Sequence, residues 1–165
     1  MTKYPLAAIL LCVAVAPLSP NTQGAEAGTR VALKEGAATT FYIQASVGGL
    51  APMAFMVDTG SGFTTINEQT LVDLQRQDLA TYKQDLIGIL ANGSEIRVPV
   101  YTLSSLEVGG CRLAQVDAAV FPGTDRQILG LSALRQVGAF TFSFDPPELL
   151  LKQCPQTGLL SADAE

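Results

Sequence analysis

The chain has 165 residues, 48% of them apolar and 15% charged, with a formal net charge of −5. That composition excludes a disordered tail or linker and fits one compact domain with a substantial core. Its ten Lys and Arg residues are scattered singly in an acidic chain, so no basic patch offers phosphate a footprint and nucleic acid is excluded as a partner.

The first 27 residues read as a targeting segment rather than as part of the domain. Lys3 and the amino terminus precede the apolar run "PLAAILLCVAVAPL", which is broken by Pro5 and Pro17 and too short to span a bilayer. Polar, helix-breaking residues follow, and then Ala25-Glu26-Ala27, a small-residue cleavage pattern. The expectation is an export signal cut after Ala27, with the mature chain periplasmic or secreted. An uncleaved signal would leave it anchored to the membrane. Leu11 before Cys12 is too large for a lipoprotein site. Residues 28–38 read as a linker, 39–153 as the domain and 154–165 as a disordered tail.

Within the domain, turn residues recur at Gly48-Gly49, Gly60, Gly62, Asn92-Gly93, Gly109-Gly110, Pro122-Gly123 and Pro146-Pro147. Short β-branched and aromatic runs lie between them, which predicts an all-β fold. In chain order, "TTFYIQASVGG" predicts a strand entering a tight turn, and "APMAFMVD" its partner. "NEQTLVDLQRQDL" predicts a helix capped by Asn67, with Leu71, Leu74 and Leu79 loosely at helical spacing. "IGILANGSEIRVPVYTLSSLEVGG" predicts a hairpin with a two-residue primed turn near Asn92-Gly93, followed by a further strand. "CRLAQVDAAVF" is a strand. "GLSALRQVG" is a short helix closed by Gly138. "AFTFSFDPPELLLK" carries Phe140, Phe142 and Phe144 at period two, the pattern of a core strand face.

Two chemistries are excluded by absence. The chain has no His, so it has neither Ser-His-Asp nor Cys-His nucleophiles, nor a His-ligated metal. No cysteine pair has zinc-site spacing, and no metal or cofactor is expected. Once the signal is removed, Cys111 and Cys154 are left to form one disulfide or to stand as two partly buried thiols.

The candidate chemistry lies in "FMVDTGSG", where an apolar strand runs into Asp58-Thr59-Gly60-Ser61. An unpaired carboxylate is costly to bury. Here Gly60 can bring its N–H to the carboxylate with no Cβ in the way, and the Thr59 and Ser61 hydroxyls can bond to the turn. Such donors hold a carboxylate rigid and stabilise its charge. Further on, the apolar pair Ile128-Leu129 precedes Gly130, a glycine that permits close backbone approach.

These residues resemble the aspartic peptidases, and among them the single-lobed, retropepsin-like proteins of a bacterial exported branch. The resemblance rests on the apolar-apolar-Asp-Thr-Gly-Ser run, the downstream Ile-Leu-Gly and the Asn-Gly hairpin between them, and it covers roughly Thr39 to Lys152. It implies a single-lobed acid-protease β-barrel with one or two short helices, a flap hairpin and a homodimeric assembly. Catalysis in such enzymes uses two carboxylates that share a proton and a water. This chain has one Asp-Thr-Gly and no second Asp-[Thr/Ser]-Gly, so the resemblance implies that the second carboxylate is Asp58 of another copy.

It further implies that Thr59 bonds across the dimer axis, that Gly60 positions the carboxylate and that Ser61 supports its outer oxygen. Ile128, Leu129 and Gly130 would buttress the loop. Ile89, Ala91, Asn92 and Gly93 would belong to a flap closing over an extended peptide or protein substrate. Two features depart from the pattern. The hairpin tip lacks the Tyr of two-lobed relatives, since Tyr82 and Tyr101 fall outside it. "LLLKQC" meets Pro155 where viral relatives carry a subunit-joining strand. Two function classes follow: an aspartic endopeptidase, or a noncatalytic peptide-binding or scaffold domain that retains the fold.

Overall fold

In a computed structural model, residues 28–89, 92–123 and 127–154 are described. The expected export signal, the flap residue Ala91 and the expected tail beyond Cys154 lie outside the described residues. The elements in order are β1 (Thr29–Ala32), β2 (Lys34–Glu35), a 3-10 turn at Ala37–Thr39, β3 (Phe41–Val47), β4 (Met53–Val57) and β5 (Thr64–Asn67). Helix α1 (Glu68–Gln75) leads to β6 (Ala80–Ile89), β7 (Glu95–Val108), β8 (Cys111–Phe121) and β9 (Gln127–Leu129). Helix α2 (Leu131–Leu134) continues as a 3-10 turn over Arg135–Val137 and is followed by β10 (Phe140–Phe144) and β11 (Pro147–Leu151).

Eight strands form one sheet in the order β2-β3-β4-β9-β5-β8-β7-β6. Strand β3 pairs with β4 and also with β7, so the sheet curls back on itself as a barrel. The alternation along β3 makes the closure favourable: Phe41, Ile43, Ala45 and Val47 are buried, and Gln44 between them is exposed. Phe55, Ile66, Leu103, Leu106 and Val116 face the same interior with no exposed surface. Each such side chain contributes roughly 1.5–3 kcal/mol through burial. The fold is all-β, as the resemblance implied, with two short helices among the described residues.

Residues 28–38 are not the linker expected from their composition. Strand β1 pairs antiparallel with β11, Thr29 opposite Leu151, and β2 pairs with the start of β3. Val31 and Leu33 are buried in the core. A strand this short declares itself only when a distant edge is offered, here that of β11, the middle strand of the three-stranded sheet β1-β11-β10. Cys154, assigned to the tail, is instead joined to Cys111 by a disulfide with the Cα atoms 5.2 Å apart.

The hairpin of β6 and β7 forms as expected, but its turn does not. Ile89 pairs with Glu95, so the connection runs over residues 90–94. The Asn92 side chain is occupied within that loop: its Oδ1 accepts from the Ser94 N–H at 3.0 Å and from the Ser94 hydroxyl at 2.7 Å. Such an Asx turn replaces a two-residue primed turn. Gly93 supplies the left-handed step at φ +81°. Strand β7 then runs on unbroken to Val108, so no separate strand follows the hairpin.

Candidate active site

Asp58 is placed by a short strand that arrives late in the sequence. Strand β9 lies between β4 and β5, parallel to β4 with Val57 opposite Leu129, and with Ile128 opposite Thr65. Asp58 is the first residue beyond that pairing, and its N–H donates to the Leu129 carbonyl at 3.1 Å. The loop then arches over Gly130. A Cβ at Gly130 would lie 2.1 Å from the Phe63 carbonyl oxygen, so close approach, rather than an unusual dihedral, demands glycine. Leu129 and Gly130 thus lie directly against the loop, with Ile128 beside them in β9 opposite Thr65.

The carboxylate is held locally. The Gly60 N–H donates to Asp58 Oδ1 at 2.9 Å, and the Ser61 N–H donates to the Asp58 carbonyl at 3.3 Å. A Cβ at Gly60 would stand 3.1 Å from that same Oδ1, so any larger residue would crowd the carboxylate. Ser61 departs from its expected role: its hydroxyl donates to the Phe63 carbonyl at 2.6 Å and braces the loop instead of the carboxylate. Thr59 is exposed.

Asp58 is on the wall of a cleft of about 860 Å³. Gly60, Ser61 and Ile128 join it there, and the β6 hairpin contributes Leu86, Ile87, Gly88 and Ile89. Ile87 and Ile89 are 57% and 77% exposed, a large apolar exposure for a hairpin with no partner over it. Phe63, Ala119, Phe121 and Pro122 complete the apolar walls, and Asp58 is the one ionisable lining residue among those described. Pro122 and Gly123, a turn signal in the sequence, rim this cleft. Asn92 and Gly93 are not among the cleft-lining residues, and neither are Thr59, Cys111 and Cys154.

A second, more open groove of about 470 Å³ also reaches Asp58, lined by Thr39, Thr40, Phe41, Met56, Val57, Phe142 and Phe144. Here the expected core face of β10 is corrected. Phe140 and Phe142 are half-buried, but Phe144 is 70% exposed. Its ring packs edge-on to Phe41 at 5.6 Å and against Phe142 at 5.0 Å, and its outer side meets solvent because β10 is the edge of its sheet.

Behind the site stands a polar group that sequence reasoning missed. The Ser132 hydroxyl accepts from the Thr64 N–H at 2.8 Å and donates to the Asp117 carbonyl at 2.7 Å, and the Ser132 N–H donates to the Gly62 carbonyl at 3.1 Å. The Asp117 carboxylate receives the Lys83 ammonium at 2.5 Å and the Thr102 hydroxyl at 2.8 Å. Partial burial on its own would raise the Asp117 pKa, but these two hydrogen bonds and the Lys83 charge outweigh it and hold the carboxyl below its ordinary value.

The family model described as aspartyl protease matches residues 43–133, the span from β3 to the start of α2. Among solved structures the chain is similar to a retropepsin-like aspartic protease from Rickettsia conorii, with a TM-score of 0.51 and 22% sequence identity, over 73% of this chain and 87% of that one. At that identity the likeness concerns the fold alone. None of the curated proteins matches the chain. The family match takes in more than half of the 165 residues, including the Asp58 loop and the strand that buttresses it, and the chain belongs to the aspartyl protease family.

Proposed function

We propose that the protein is an aspartic endopeptidase whose active form is a homodimer, each copy contributing one Asp58. The observation that carries the proposal is a lone carboxylate in the wall of an apolar cleft, oriented by the Gly60 amide at 2.9 Å. A fixed acid there serves hydrolysis better than binding, and carboxylate-driven hydrolysis needs two such groups, one to activate water and one to polarise the carbonyl. A twofold axis beside the loop supplies the second. One carboxylate then takes a proton from the bridging water as it attacks the scissile carbonyl, and the other, protonated, donates to the carbonyl oxygen. The two close carboxylates titrate as one unit.

The groove of Phe41, Phe142 and Phe144 supports the dimer, because it opens an apolar surface next to the same Asp58. The substrate is an extended peptide or protein segment held beneath Ile87 and Ile89. The proposal has the chain exported, to the periplasm or beyond, without residues 1–27.

Asp58→Asn tests the chemistry. The expected result is a loss of cleavage of at least about 10³-fold with an unchanged melting temperature. Equal cleavage by variant and parent overturns the proposal, and binding of peptide without cleavage by the parent favours a scaffold.

A further inference from the structure

The strand that carries the overhanging hairpin is irregular at one point. Tyr82 pairs with Tyr101 and Gln84 pairs with Val100, so Lys83 is the additional residue of a β-bulge in β6. A bulge re-aims the side chain it displaces. Lys83 reaches past β7 to Asp117 on β8, with its ammonium 2.5 Å from Oδ2, while Thr102 on β7 donates to Oδ1 at 2.8 Å. From Asp117 the line continues through its carbonyl to the Ser132 hydroxyl, and from Ser132 to Gly62 and Thr64. A continuous run of polar contacts thus joins the hairpin strand to the loop that holds Asp58.

The bulge divides β6. Residues before it lie at the base of the hairpin. Beyond it lie Leu86, Ile87, Gly88 and Ile89, which line the cleft. Among the described residues the other ion pair of this hairpin, Arg97 to Asp85 at 3.7 Å, ties β7 to β6, and its Asp85 also accepts from the Tyr82 hydroxyl at 3.2 Å, so its contacts stay within the hairpin. Neither Lys83 nor Asp117 lines the cleft, so neither has a direct role with substrate.

We infer that Lys83 and Asp117 are positioning residues that set the height of the hairpin above Asp58, with the bulge as pivot and Ser132 as the link to the catalytic loop. The inference rests on the peptidase reading for its consequence. A peptide lying between the hairpin and the Asp58 loop needs both surfaces at a fixed spacing. Releasing the pair lets the arm of residues 84–89 ride upward and lowers the population of the binding-competent form. Binding weakens, and the chemical step on bound peptide is little changed.

The experiment compares Lys83→Met, Asp117→Asn, their combination, Lys83→Arg and Arg97→Met. A quenched fluorescent peptide with two Phe residues at its centre is the cleavage probe, and amide hydrogen exchange across residues 84–89 is the second readout. With the pair removed, KM rises about two- to fivefold, the range of a partly exposed ion pair, while kcat stays within about twofold. Exchange in residues 84–89 quickens by a similar factor and stays unchanged in β11, which shows the fold intact. The double variant is no worse than either single one. Lys83→Arg restores both readouts, and Arg97→Met moves neither.

Unaltered exchange and KM in both Lys83→Met and Asp117→Asn overturn the inference, as does an equal effect of Arg97→Met. If the parent protein cleaves no peptide, the peptidase reading falls by itself. The exchange measurement still decides whether the pair holds the hairpin.

Discussion

At Gly130 the chain has no room for a single methyl group. A Cβ there would meet the Phe63 carbonyl oxygen at 2.1 Å, and backbone on both sides is held by the bonds from Leu131 to Ser61 and from Ser132 to Gly62. Gly130→Ala is therefore expected to cost about 3 kcal/mol or more, read by chemical denaturation, and to abolish cleavage by displacing the Asp58 loop. Asp58, Gly60 and Gly130 were legible in the sequence because each answers a local backbone demand that only a small set of residues meets. Ser61 was half legible. A hydroxyl beside a carboxylate has two acceptors in reach, and the choice of the Phe63 carbonyl depends on how far the loop arches over Gly130. Ser132 was not legible at all, because its partners Thr64 and Asp117 are brought to it by two distant strands, β5 and β8.

Elements whose signals are local were read correctly. Asn67 caps α1, accepting from the Thr70 N–H at 2.8 Å, and Gly138 at φ +64° follows the turn after α2. The start of β6 was missed because "ATYKQD" alternates no apolar face, its residues being mostly exposed. Strands β1 and β2 were missed because they owe their existence to partners far along the chain. Strands β6, β7 and β8, which bring Lys83, Thr102 and Asp117 together, set a pH response. The folded Asp117 carboxyl is held below the ordinary Asp value of 3.8, so the stability it contributes is fully present above that value and is lost as pH falls through the folded one. Denaturant titrations from pH 5 to about pH 2 are expected to show Asp117→Asn losing less stability on acidification than the parent. Identical acid slopes would contradict this role.

For the whole molecule, closure of the barrel through the pairing of β3 with β7 leaves the three-stranded sheet as a flange beside Asp58. If the active form is the proposed dimer, Phe144→Glu puts a charge into the shared surface. The expected result is a dimer dissociation constant raised at least about tenfold, some 1.4 kcal/mol, by analytical ultracentrifugation. Val72→Glu, at an exposed apolar position on α1, leaves it unchanged. An unaltered constant in Phe144→Glu places the dimer contact elsewhere. The flange has one more consequence, which concerns timing. Its outer strand is β1, near the start of the chain, and its middle strand is β11, which ends at Leu151. A polypeptide is made from its amino end, and β1 waits without its partner until the residues of β11 have been made. Cys111 waits a shorter interval, 43 residues, for Cys154. A nascent chain halted anywhere short of Leu151 lacks the surface on which two copies would meet. Under the proposed function, a dimeric peptidase of this kind would gain activity only once β11 is free to pair.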